Sequence, residues 1–515
     1  MTRTVAGPEA FDDDTLTLAR DVVGHTRRSI RRYNRARSSV RDLFIDVYSN
    51  ALALGCVLMM AGSLVLALRE EIAGRNLRTG SLADVRWQVL PADVLWLVLT
   101  YLAWAGILLA ARRLGPVTVS RAEGAWWPPL PIDRRPMVLP AFRRRLASVG
   151  AAAFVAYLPF SILTAIDRAP LAHAVVAATF GGGAVLAVSV AAILQSNPAR
   201  SRSLRAAVLV GSIPATLLLF LAPAAWSLVL TLLGASALAA YVLSRSGRVP
   251  GEELERGGAV SGHVGASIFF LDLNEMRRAL AARPRPAATG RGARFYARPT
   301  RGVLAAVVRA DVVAFLRLQS APVVPLVWLG ICIAVALITP ALPVPLQLGV
   351  ILIAGCVTTA GTGTVARRTA VIPELDALLP VAPALVRSSR MLMPSVAMAT
   401  WMGLLAATFA ALGAGPPSVI LLGALAGVGM GAGAVRAATR PPTDWTMPPV
   451  ETPFGSVPRD QMSSLLRGTD MTVLAMIPAL LALYLGVVHP WLIIAQCVAT
   501  AVAVTVHVST STASS

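Results

Sequence analysis

The side chains that most often perform chemistry are few in this chain and lie far apart. All 46 basic residues are arginine, which excludes a P-loop lysine and a Schiff-base lysine. The four cysteines occupy apolar runs without a CxxC or Cys/His pattern, so neither zinc nor a disulfide framework is indicated. His173 and His507 lie alone in apolar runs, which is typical of packed histidines. We therefore expect no catalytic residue, metal or cofactor in this chain, and no enzyme activity of its own.

Four carboxylates lie in one segment between the first two apolar runs, at Glu70, Glu71, Asp84 and Asp93. Polyprenyl-linked transferases place catalytic carboxylates in such loops. The same segment holds four arginines, so we favour ion pairing and solvation as its interpretation.

Two segments combine apolar, proline and charged residues in a way that predicts a partner. Exposed apolar side chains without a partner are costly. In the second segment, two carboxylates precede leucines in what reads as one amphipathic turn, where the helix dipole favours negative charge. We predict docking of a partner at Trp126, Trp127, Leu130, Pro131, Arg134 and Arg135, and at Glu374, Leu375, Asp376, Leu378, Leu379 and Pro380.

Composition indicates the elements that must position these segments. The 515 residues are 56% hydrophobic and only 14% charged, with a mean hydropathy of +0.68, whereas a soluble domain is about one quarter charged. We predict an all-α integral membrane protein. About 20 apolar residues span a bilayer, and twelve runs qualify: 47–68, 94–111, 146–166, 172–194, 206–222, 225–243, 322–338, 346–365, 391–412, 418–435, 472–488 and 491–508.

Arginine placement predicts the orientation of these runs. With the amino terminus inside, 41 of the 46 arginines fall on the inner side, as the positive-inside rule requires. We expect a multi-pass protein of the cytoplasmic membrane with both termini cytoplasmic. The lipid bilayer accounts for the net charge of +20, so no nucleic acid is implied.

The runs divide into two sets of six, which predicts two parallel six-helix repeats. The expected domains are a cytoplasmic amino terminus with an interfacial helix (1–46), a first half (47–243), an Arg/Pro/Gly linker with a second interfacial helix (244–321), a second half (322–508) and a tail (509–515). Three echoes recur in the same order: 118–121 with 364–367, 126–146 with 374–392, and 213–218 with 477–482. Gly181–Gly183 predict close helix packing or a kink, and Gly427, Gly429, Gly431 and Gly433 predict a small-residue face for close packing.

One segment before each half carries apolar residues among arginines, at 27–46 and at 301–318. Each is predicted to lie along the inner membrane surface. The alternative is that each extends the following span into the cytoplasm.

The strings PPLPIDRRPMVLPAFRRRL and LDALLPVAPALVRSSRML resemble the loop between spans 2 and 3 of ABC-2-type exporter permeases. Pro131 and Pro380 match the family proline and Arg134 stands near its arginine, whereas Ala382 and Pro383 depart from the pattern. The chain also resembles an uncharacterised actinobacterial family of polytopic membrane proteins. The resemblance implies two fused six-span modules of type V-like exporter architecture. It also implies coupling helices that dock on two copies of an ABC-type ATP-binding subunit, which would hold ATP and Mg.

The expected function is thus the membrane subunit of an ATP-driven exporter of unspecified cargo. A major-facilitator-type secondary carrier also has two six-span halves, but the spans lack coupling carboxylates. A non-transporting scaffold subunit would share the docking loops without a hydrated path.

Overall fold

The computed structural model describes residues 13–37, 39–74, 81–120, 123–124, 133–165, 168–196, 208, 225–269, 276, 279–280, 299–318, 323–370, 376, 378–439, 450–452, 455–457 and 467–509. These residues are almost entirely helical. Eight of their helices are long and apolar enough to cross a membrane, and two more are apolar but shorter. The described chain thus has the makeup of an all-α, multi-pass membrane protein; the count of twelve spans stays a prediction.

The chain forms two compact units, one of residues 1–74 and 96–265 and the other of residues 75–95 and 266–515. The first unit is built from α1 (Asp13–Arg37), α2 (Val40–Gly74), α3 (Ala92–Leu114), α4 (Arg135–Thr164), α5 (Pro170–Ser196), α6 (Ala225–Arg245), a 3-10 turn (Ser246–Arg248) and α7 (Gly251–Phe269). The first residues of α3 and the last residues of α7 belong to the second unit. The predicted span 206–222 lies outside the described residues except for Val208.

The second unit holds eight further helices in the described part of the chain: α8 (Val303–Leu318), α9 (Val323–Leu337), α10 (Val344–Thr362), α11 (Thr364–Thr369), α12 (Pro383–Ala411), α13 (Val419–Ala438), α14 (Thr469–Leu485) and α15 (Pro490–Ser509). It also holds a 3-10 turn (Val85–Trp87) and four short strands: β1 (Leu90–Pro91), β2 (Ile338–Thr339), β3 (Val450–Thr452) and β4 (Gly455–Val457). Strands β1 and β2 pair in parallel, and β3 and β4 form an antiparallel hairpin.

Helix ends follow from local sequence. Helices α5, α12 and α15 begin at Pro170, Pro383 and Pro490, where the missing N–H has no helical partner to lose. Helix α14 ends at Leu485, and the following Gly486 caps it with a φ of 71°, in the left-handed region that glycine adopts without strain.

Glycines make α5 the central helix of the first unit, where 67% of its most apolar stretch is buried. A Cβ at Gly181 would lie 2.8 Å from the backbone oxygen of Gly150 in α4, and one at Gly182 would lie 2.8 Å from Thr231 Cγ2 in α6. The glycines therefore permit close approach of neighbouring helices, as the sequence predicts.

Helix α13 has the same role in the second unit, and 67% of its most apolar stretch is also buried. A Cβ at Gly427 would lie 2.3 Å from the Met398 oxygen in α12, and one at Gly429 would lie 2.7 Å from Ala475 Cβ in α14. Each unit, considered by itself, is thus organised around a glycine-rich apolar helix.

Residues 81–91 are built into the core of the second unit, although they follow the first apolar helix. Leu82 and Ala83 are 4% and 5% exposed and join its main apolar cluster. Buried Gln347 in α10 accepts the Leu82 N–H at 3.0 Å and donates to the Leu342 oxygen at 2.6 Å. The amide of Asp84 donates to the Leu412 oxygen at 2.8 Å. This segment is therefore a packed element of the second unit.

The predicted interfacial segments have different outcomes in the helices. Residues 301–318 coincide with α8, and α9 begins at Val323; residues 319–322 between them lie outside the described residues. Residues 27–46 instead cover the end of α1 and the start of α2, and α2 continues into the first predicted span. In α1, Ala19 and Val23 are buried against protein, in a cluster with Val119 and Met137.

Candidate functional site

The first predicted docking segment ends at the start of α4. Trp126, Trp127, Leu130 and Pro131 lie outside the described residues. Arg134 is half-buried and Arg135 is exposed. Buried Asp133 accepts the Arg135 backbone N–H at 2.9 Å, and its other oxygen lies 3.9 Å from the guanidinium of Arg135. Asp133, which was not singled out from the sequence, therefore anchors this end of the segment.

The second docking segment combines a fixed carboxylate with an exposed apolar tip. Glu374 and Leu375 lie outside the described residues. Asp376 accepts a hydrogen bond from Arg390 Nη2 at 2.7 Å. Leu378 is 79% exposed, Leu379 is half-buried and Pro380 is exposed. The two leucines thus differ: one is available for a contact and the other is partly covered.

Arg390 joins this segment to two helices. From α12, its Nη1 contacts Asp311 Oδ1 in α8, while its Nη2 holds Asp376. Asp311 is 4% exposed, and burial raises its pKa to about 6 against the opposing effect of the Arg390 guanidinium. The Asp311–Arg390–Asp376 bridge, as we call these three residues, therefore ties α8, α12 and the docking segment into one local body.

Sequence reasoning did not find this bridge because its members are distant in the chain. Arg390 lies 79 residues from Asp311 and 14 residues from Asp376. The available signal was one aspartate within the apolar face of 301–318 and one arginine just before an apolar run. Neither residue specifies its partner without the fold.

An arginine in α4 holds the backbone of the first unit directly after α3. Arg145 Nη1 donates to the Gly115 oxygen at 3.1 Å and to the Pro116 oxygen at 2.8 Å. The side chain of Gln195 in α5 pairs with both backbone groups of Val117, at 3.1 Å to its nitrogen and 2.8 Å to its oxygen. The chain that leaves α3 is therefore held by polar side chains on two neighbouring helices.

Helix α7 packs over the end of α3 and the residues that follow it, a contact that the sequence did not predict. Its Glu253 carboxylate binds Arg112 of α3 at 3.2 Å and Arg256 at 2.5 Å. A Cβ at Gly258 would lie 1.8 Å from the Val119 oxygen, so only glycine permits this approach. The available signal was Pro250 followed by glutamates, which is typical of a helix start.

Two of the remaining candidate residues have local contacts. Asp84 lies 3.5 Å from Arg86 in an exposed ion pair, and His173 lies 3.0 Å from the Ser161 hydroxyl. All four cysteines are free. Among the described residues, no group of His, Cys, Asp or Glu could hold a metal ion.

Comparison with known proteins places the chain in a family without assigning an activity. No curated protein and no solved structure matches it. Residues 88–448 match DUF6297, described as a family of unknown function. The matched part includes the second docking segment and both central helices. Because it covers more than half of the 515 residues, the chain belongs to the DUF6297 family.

Proposed function

We propose that this chain is the membrane subunit of an ATP-driven exporter. Two six-span halves move cargo across the cytoplasmic membrane, and two copies of an ABC-type ATP-binding subunit bind below them and hold ATP and Mg. Both termini lie in the cytoplasm, on the side of that partner. The observation that carries the proposal is the exposed Leu378 beside the Asp311–Arg390–Asp376 bridge.

An exposed leucine favours a contact with a partner. Covering a leucine side chain contributes about 1.5–3 kcal/mol, and Leu378 is 79% exposed. Its neighbour Asp376 is held at 2.7 Å by Arg390, which limits the positions that the tip can adopt. A prepositioned apolar tip binds at a lower cost in conformational entropy.

The bridge also supplies a mechanical connection. Arg390 belongs to α12, which packs closely on the central helix α13, and Asp311 belongs to α8. A displacement of the segment around Asp376 therefore acts on both helices through charged contacts. ATP-driven closure of the partner biases the membrane halves only if it reaches them through such contacts.

The similarity of the two units supports two permease halves in one chain. Each has a glycine-rich central helix, α5 or α13, with 67% of its most apolar stretch buried. In each unit the preceding long helix, α4 or α12, packs extensively on that central helix. This order of elements agrees with the sequence echoes and favours a duplicated module.

Site-specific photo-crosslinking in cells tests the proposal. A benzophenone amino acid replaces Leu378 in the full-length chain, and a matched chain carries it at Val85, which is 84% exposed and lies on the predicted outer side. We expect an ATP-binding-cassette protein with a P-loop lysine to be captured at position 378 and not at 85. Capture of the same protein at both positions would contradict the proposal. So would the failure to capture any protein with a nucleotide-binding cassette at position 378.

A further inference from the structure

A cleft of about 210 Å³ lies in the first unit, lined by residues of α1 and α4 and by Thr118, Val119 and Glu123. Val23, Val119 and Met137 form an apolar floor, and each is less than one tenth exposed. Ile30, on the rim, is 53% exposed. The cleft therefore has an apolar floor and an open side.

Two arginines from different helices line this cleft. Arg27 of α1 and Arg144 of α4 are both exposed, and neither forms an ion pair with another described residue. Arg144 Nε donates to the Pro140 oxygen at 3.4 Å, which leaves its terminal nitrogens available. The one carboxylate of the lining, Glu123, accepts the Ser120 N–H at 2.8 Å within its own turn. The rim therefore presents two cationic groups and one carboxylate that already has a donor.

We propose that this cleft binds the head group of an anionic phospholipid. The phosphate lies between Arg27 and Arg144, and the glycerol and first acyl carbons lie over Val23 and Met137. Arginine is well suited to a phosphate because its donors match the oxygens in pairs. An apolar floor beneath a cationic rim matches an amphiphile better than it matches a free anion.

The place of the cleft and its size agree with a lipid. Helix α1 carries seven arginines and three aspartates, and basic helices at a membrane surface attract anionic lipids. Residues 137–144 immediately precede the apolar run 146–166, so the cleft lies at its membrane boundary. The cleft has a volume of about 210 Å³. That space suits a head group, and the acyl chains leave through the open side.

Native mass spectrometry of the full-length chain in neutral detergent tests this site. Retention of palmitoyl-oleoyl phosphatidylglycerol is compared with that of phosphatidylcholine and with inorganic phosphate. The test variant is R27Q/R144Q, and the matched control is R28Q/R143Q, which removes two exposed arginines of the same helices that do not line the cleft. A third variant, Ala141→Trp, fills the cleft without changing its charge.

We expect one phosphatidylglycerol to be retained by the wild type and by R28Q/R143Q. With about 1 kcal/mol for each surface arginine, R27Q/R144Q lowers the affinity about thirty-fold, and Ala141→Trp also abolishes the tight site. Equal losses in the two double variants, or no effect of Ala141→Trp, would overturn the proposal. Phosphate binding as tight as lipid binding would show a free-anion site and would also overturn it.

Discussion

Replacing Arg390 with methionine is the sharpest perturbation of the Asp311–Arg390–Asp376 bridge. Methionine keeps much of the length and the apolar stem of the side chain but removes its charge and its donors. The change leaves Asp311, whose side chain is 5% exposed, without the cation that contacts it, and leaves Asp376, at 34%, without its donor. Two carboxylates then lie near each other with no compensating charge.

The expected effect is large because the bridge is buried. Removing one partner of a buried ion pair costs about 3–5 kcal/mol. In a folding unit of a few hundred residues this corresponds to a decrease in Tm of about 5–15 °C. The matched control is Arg86→Met, which removes an ion pair whose side chains are 70% and 51% exposed. Such exposed pairs contribute about 0–1 kcal/mol, so its Tm should stay within about 3 °C of the wild type.

Thermal unfolding in detergent, followed by tryptophan fluorescence at pH 7.5 and at pH 5, measures both changes. The pKa of Asp311 is about 6 even with Arg390 present, and loss of the cation raises it further. At pH 5 this carboxyl is therefore neutral in Arg390→Met, and the decrease in Tm should shrink. An equal decrease at both pH values, or equal decreases for Arg390→Met and Arg86→Met, would refute the electrostatic reasoning.

Three further perturbations test other parts of the structure. Burial raises the pKa of Asp311 from 3.8 to about 6. Between these pH values the folded protein keeps a proton that the unfolded chain has lost, so this contribution to stability falls as pH rises. Asp311→Asn should therefore flatten that part of a plot of Tm against pH. In α7, Gly258→Ala should lower the Tm because a Cβ there would lie 1.8 Å from the Val119 oxygen, whereas Gly262→Ala, with open space around it, should leave it unchanged or raise it slightly. Gln347→Leu leaves the Leu82 N–H without its acceptor. A cysteine placed at Ala83, which is 5% exposed in the wild type, should then react faster with an impermeant maleimide than it does when Gln347 is present. An unchanged reaction rate would contradict the role of Gln347.

Apolar run length was sufficient to predict most of the helices. The runs at 94–111 and 172–194 fall within α3 and α5, and the run at 418–435 begins one residue before α13. These helices form because a bilayer-spanning segment must satisfy its backbone hydrogen bonds internally. The glycines at 181–183 and at 427, 429, 431 and 433 lie at sites of close packing, as predicted. These predictions succeed because they depend on local composition.

The sequence did not reveal contacts between distant segments. Residues 81–91 read as a solvated loop because Asp84 and Arg86 are charged, yet Leu82 and Ala83 beside them are buried in the second unit. Their binding site depends on Gln347, more than 250 residues away. Asp376 was predicted as a docking carboxylate, and the structure shows its oxygen on Arg390. No local pattern specifies such partners.

ATP hydrolysis by the purified complex of the full-length chain with the ATP-binding subunit captured at position 378 tests the coupling claim most directly. Leu378→Asp places a charge on the exposed tip, and Val85→Asp places the same charge on the equally exposed outer segment. We predict that Leu378→Asp lowers the hydrolysis rate and the recovery of the complex at least tenfold, while Val85→Asp leaves both within twofold of the wild type. Equal rates in all three proteins would contradict transmission through this segment.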